Sequence, residues 1–162
     1  MSEMRELRMI VEETQIEHVL HPLVDLPLSN MSRFVGWQRL EFGPQRPFVN
    51  NKGHNVTKAD YAIHVACGWR IIGPEGIVVG SEDYGPGSER HDKQGKPFFR
   101  MLAQTPPAVQ GVKADAVGSL RFAMTGGYWL DILPLGAIQA AQWIFLTPGA
   151  GTFTLDEQGF GS

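Results

Sequence analysis

The sequence predicts an α+β domain: an N-terminal helix or helix pair, then a mostly antiparallel, curled sheet of six to eight strands. Three observations carry this reading. Apolar residues recur at helical spacing over a long stretch only near the start. From Phe34 onward they alternate in short runs, as half-buried strands do. Turn residues separate those runs, with 19 Gly and 11 Pro in the chain. Few helix-length patterns separate consecutive runs, which argues against a doubly wound parallel sheet. A sheet with this many twisted strands seldom stays flat, hence the expected curl.

Met4 to Val24 reads as helix. Leu7, Ile10 and Val11 share one face; Ile16, Val19, Leu20 and Leu23 share another, half a turn around. Thr14-Gln15-Ile16-Glu17 fits a capping box, which favours two helices over one. Pro22 and Pro27 close the region. Phe34 to Phe42 reads as one strand with a wet face. Gly43 to Ala59 reads as a long loop carrying His54, Arg46, Lys52 and Lys58.

Tyr61 to Tyr84 is the densest apolar block. It reads as two strands joined by the turn Gly73-Pro74-Glu75-Gly76. Tyr61, Ile63, Val65 and Cys67 point one way; Ala62, His64 and Ala66 point the other. Gly68 marks a bulge or bend, and Trp69 to Ile72 continues the strand. Ile77 to Gly80, apolar on both faces, suggests a central strand. Gly85 to Lys96 is a second polar loop. Phe98 to Gln104 reads as a short helix with Pro97 in its first turn. Strands follow at Val112 to Val117, Leu120 to Met124, Tyr128 to Leu133, Gln142 to Leu146 and Thr152 to Leu155. Gly126-Gly127 supplies a hairpin turn.

The block around the single cysteine also resembles a known pattern. Tyr61-Ala62-x-His64-Val65-x-Cys67-x-Trp69-Arg70-Ile71, then Ile77-Val78-Val79-Gly80-Ser81-x-Asp83, resembles a family of small, uncharacterised bacterial cytosolic proteins. Leu40-x-Phe42-Gly43 and Trp143-x-Phe145-Leu146 are weaker matches on either side. The resemblance implies the domain boundary and the sheet. It implies no activity and no catalytic residue.

Length and composition narrow the classes. At 162 residues the whole chain, 1–162, reads as one domain. A hydrophobic fraction of 43% and a charged fraction of 19% are ordinary for a globular protein. A net charge of -3 gives no reason to expect nucleic acid. One cysteine forms no internal disulfide, which fits a reducing compartment, and a cytoplasmic location is expected. No apolar run reaches membrane-spanning length, and the charged start MSEMRELRMIVEE lacks a signal-peptide core.

The side chains that carry chemistry are few. His64 and Cys67 sit three apart on a strand, so they face opposite ways and make no nucleophile–base pair. They read as a satisfied histidine and a core thiol. His18, His21, His54, His64 and His91 show no HExxH spacing and no cysteine pair accompanies them, so no metal is expected. No nucleotide loop or other cofactor motif occurs, and no cofactor is expected. Glu82, Asp83, Asp115 and Asp131 lie at or near strands, where two carboxylates can share a proton. The plainer reading pairs Asp131 with Arg121 across the Gly126-Gly127 hairpin. No catalytic set is assigned; His64, Asp83 and Asp131 are the candidates. Trp37 and Trp129 lie on strand faces that also carry charge, so Trp37, Arg39, Arg70 and Trp129 are the binding candidates.

These readings favour a non-enzymatic binding protein that presents a curved sheet face and two polar loops to a protein partner or to its own twin. Antitoxin-like and immunity-type inhibitors belong to that class. The alternative is a small-molecule binder or hydrolase using His64 with Asp83, Asp115 or Asp131.

Overall fold

A computed structural model of the chain describes residues 13–83, 89–136, 140–149, 151–156 and 159–162, the side chains of 89–94 excepted. The strands are antiparallel throughout. They fall into a six-stranded sheet, a five-stranded sheet and a separate two-stranded ribbon, where the sequence led us to expect one sheet. The reason is physical. The inner strands of the two large sheets carry apolar residues on one side, and the two sheets bury those sides against each other.

Residues 13–20 form helix α1, and His21–Leu23 add a 3-10 turn. Ile16, Leu20 and Leu23 are buried, as their spacing predicts. The expected face of Leu7, Ile10 and Val11 lies outside the described residues. Thr14 lies inside α1 and not ahead of it, so it is not the N-cap that a capping box needs; Glu17 Oε1 accepts from the Ala114 backbone N–H at 3.0 Å, which ties α1 to the strand holding Ala114.

The six-stranded sheet runs in the order β1 (Leu28–Phe34), β2 (Trp37–Phe42), β5 (Tyr61–Val65), β11 (Trp143–Leu146), β12 (Thr152–Asp156) and β13 (Gly159–Gly161). The five-stranded sheet runs β7 (Gly76–Gly80), β6 (Gly68–Gly73), β10 (Tyr128–Leu133), β9 (Leu120–Met124) and β8 (Val109–Ala114). Leu40, Phe42, Ile63, Trp143 and Phe145 from the first share one core with Trp69, Ile71, Phe122, Leu130 and Ile132 from the second. The rings of Phe42 and Phe122 stack across the sheets with centroids 5.8 Å apart. Trp143 Nε1 donates to Gly118 O at 2.9 Å, which satisfies the indole in the core.

Several expectations change. The Tyr61–Ile72 stretch is not one strand. It breaks at Ala66-Cys67, where the chain leaves β5 in one sheet and enters β6 in the other. Gly68 permits the crossing, because a Cβ there would lie 3.2 Å from Leu133 O. The return strand β7 is an edge strand, not a central one, and helix α2 (Glu89–Gln104) packs on it. That helix is longer than its apolar run predicts, and Pro97 lies inside it rather than in its first turn. Burial of Phe98 and Leu102 offsets the cost of an interior proline, about 3 kcal/mol.

The Phe34–Phe42 strand is instead the second half of a hairpin whose loop is Val35-Gly36. Both loop residues have positive φ, 42° and 81°. The long loop at 43–59 holds a second hairpin, β3 (Arg46–Val49) with β4 (Asn55–Lys58), exposed along its whole length. Its turn is set by Asn50 Oδ1, which accepts from the Lys52 and His54 amides. β8 begins and ends three residues earlier than expected, because Asp115 starts a turn by accepting the Val117 and Ser119 amides.

Candidate functional site

Three places hold chemistry, and the first two follow from strand register. The first is the outer face of the six-stranded sheet. Register places Arg39 opposite His64 and Glu41 opposite Ala62 on adjacent strands. Arg39 Nη1 lies 2.6 Å from His64 Nε2. A guanidinium only donates, so His64 Nε2 is the acceptor and the proton of the neutral ring sits on Nδ1. Burial pushes the His64 pKa below its usual value of 6.5, the Arg39 charge pushes the same way, and Glu41 opposes them. The Phe34 ring packs edge-on against the imidazole at 4.8 Å. Glu41 is 3% exposed, though it faces outward. Its Oε1 accepts the Ala59 amide and its Oε2 accepts from Asn30 Nδ2.

The second is the outer face of the five-stranded sheet. One level of register crosses four strands as Lys113, Arg121, Asp131 and Arg70. Asp131 is only 2% exposed. Arg121 grips it at two points, Nε to Oδ1 at 2.6 Å and Nη2 to Oδ2 at 2.8 Å. Arg70 Nε donates to Oδ2 at 2.9 Å from the other side. Burial raises the Asp131 pKa, but the hydrogen bonds from Arg121 and Arg70 outweigh it and hold the carboxyl below the usual range. The expected Asp131–Arg121 pair is therefore present, with Arg70 as a second partner. Trp129 lies beside them, 41% exposed, with the Arg121 guanidinium 5.4 Å from its ring centroid.

The third is a groove of about 470 Å³ between the free edge of β1 and helix α2. Ser29 to Arg33 form one wall; Phe99, Leu102 and Ala103 form the other. β1 has a strand partner on one side only. Its first residue, Leu28, donates on the other side to Pro107 O at 2.9 Å. Beyond Leu28 no strand covers that edge among the described residues. Gln38 Nε2 on β2 donates to Ser32 O on β1, and Gln38 Oε1 is the one buried side-chain polar atom without a hydrogen bond among the described residues.

The sequence candidates separate accordingly. Trp37 and Arg39 share the face of His64; Arg70 and Trp129 share the face of Asp131, on the other sheet. His64 meets none of the carboxylates proposed to join it. Asp131 is held by two arginines, Asp115 by its own turn, and Asp83 Oδ2 accepts the Gly80 amide at 2.8 Å. Cys67 sits at the sheet crossing, not on the His64 strand, and burial pushes its thiol up to about 11. The side chain of His91 lies outside the described residues. His18 and His21 are exposed. Among the described residues no cluster of three metal-ligating side chains occurs, and no helix is long and apolar enough to cross a membrane. The sequence carries no local signal for the β1–α2 groove, which joins Ser29–Arg33 to residues about seventy positions further on.

Comparison with known protein families, with curated protein sequences and with solved structures finds no match to this chain.

Proposed function

We propose that this chain is a non-enzymatic binding protein, and that it takes an extended segment of a protein partner into the groove between β1 and α2. The observation that carries the reading is the groove itself: a strand edge with no partner strand among the described residues, facing the apolar side of a helix. An incoming strand gains main-chain hydrogen bonds along such an edge, and alternate side chains find the pockets. Here the pocket wall is Phe99, Leu102 and Ala103, so the segment carries apolar residues at every second position. Five edge residues accommodate a partner strand about 17 Å long.

A non-catalytic role is supported by His64. A neutral imidazole has one acceptor nitrogen, and Arg39 occupies it, so the strongest candidate base is spent.

The test is selection of linear peptides from a random library, followed by binding to Ala103→Trp. Ala103 is exposed, so an indole there fills the groove without entering the core. The reading predicts peptides with alternating apolar residues that bind the parent protein and lose binding to the variant. Peptides that bind both equally contradict it. Light scattering distinguishes the other occupant: a dimer that Ala103→Trp dissociates means that a second copy of the chain fills the groove.

A further inference from the structure

We infer that the outer face of the five-stranded sheet holds a second binding site, for a phosphate monoester dianion, built from Arg70, Arg121 and Lys113 around Asp131. This site is separate from the groove and stands or falls without it.

Lys113 and Arg121 are direct cross-strand partners, and like charges so placed repel. Asp131 is the one carboxylate at their register level and serves two guanidiniums. Three cations therefore face one anion. Asp115 borders the same hollow, with Oδ1 committed to the Val117 and Ser119 amides, and a surplus positive charge remains even when it is counted.

Donor geometry makes the surplus usable. Arg121 spends Nε and Nη2 on Asp131, which leaves Nη1 unbonded among the described residues. Arg70 spends only Nε, so both of its Nη groups are unbonded among the described residues. The carboxylate fixes both guanidiniums, and the Trp129 ring packs against one of them. Little side-chain freedom is left to lose on binding, which is the usual cost of an arginine contact. About half of each arginine side chain is exposed, at 39% and 49%, so the free ends reach solvent. They open on a hollow of about 270 Å³ that Lys113 and Ser119 also line.

The ligand class follows from this donor set. Two guanidinium ends and an ammonium suit an anion with three acceptor oxygens and a charge near -2, which a phosphate monoester carries at neutral pH.

The experiment follows arginine Nε–H and backbone signals by NMR at low salt, titrating inorganic phosphate, O-phosphoserine and glutarate. Saturable shifts at Arg70, Arg121 and Lys113 by phosphate or phosphoserine, at least about tenfold tighter than glutarate, are expected. Lys113→Gln touches no hydrogen bond of the fold and relieves its repulsion with Arg121; it should weaken phosphate about tenfold without lowering the melting temperature. Phosphoserine tighter than inorganic phosphate means that the group arrives on a larger molecule; equal affinity means that free phosphate suffices. The inference is overturned by no saturable shift up to about 10 mM, by glutarate binding equally well, or by Lys113→Gln binding like the parent.

Discussion

Replacing Asp131 by asparagine keeps the side-chain shape and removes the charge that two arginines share. Three guanidinium hydrogen bonds end on this carboxylate, which is 2% exposed. Hydrogen bonds to charged groups contribute about 1.5–3 kcal/mol each, and breaking a fully buried pair costs about 3–5 kcal/mol. The arginines are half exposed, so water recovers part of their loss, and the figure must come down. About 2–3 kcal/mol remains, well above the ~0–1 kcal/mol of a surface pair. Urea unfolding of the parent and Asp131→Asn measures it. The sign with pH is fixed. The folded carboxyl lies below its unfolded value of about 3.9, so its contribution is complete above that value and lost as pH falls through the folded one. The gap between parent and variant should therefore shrink below about pH 4. A difference under about 0.5 kcal/mol at pH 7, or a gap that stays constant into acid, refutes the reasoning.

Three further outcomes follow from single residues. Val35 holds φ at 42° and is 95% exposed, so Val35→Asn relieves left-handed strain and should add about 1 kcal/mol, read as a melting temperature about 2–4 °C higher; a lower one contradicts this. The His64 ring should titrate below 6.5 by NMR, and because the unfolded chain binds its proton first, stability should fall as pH drops through about 6.5. His64→Gln should flatten that slope; an unchanged slope assigns it to another group. With its thiol near 11, Cys67 is about one part in a thousand thiolate at pH 8, so a disulfide reagent should label it roughly a hundredfold more slowly than a free thiol, and at the free rate after denaturation. Fast labelling of the folded protein places the sulfur in water.

What could be read from the sequence was what local rules encode. Period-two alternation gave Tyr128–Leu133 and put Trp129 beside Asp131. The glycine pair gave the hairpin and, with it, the Arg121 partner ten residues away. The Arg70 partner was not legible, because it depends on β6 lying next to β10, sixty-one residues apart in sequence. Val35-Gly36 hid a hairpin, since a β-branched residue in the left-handed region breaks the usual turn preferences. The β3–β4 ribbon is exposed throughout, so it shows no buried face to alternate. The groove joins a strand and a helix seventy residues apart, and only packing brings them together.

The central claim is that a partner strand lies along β1, and nuclear Overhauser contacts between a selected peptide and the isotope-labelled protein test it most directly. The account predicts main-chain contacts from the peptide to Ser29–Arg33 and side-chain contacts to Phe99 and Leu102. A peptide that contacts another face, with the Ser29–Arg33 amides unperturbed at saturation, contradicts it.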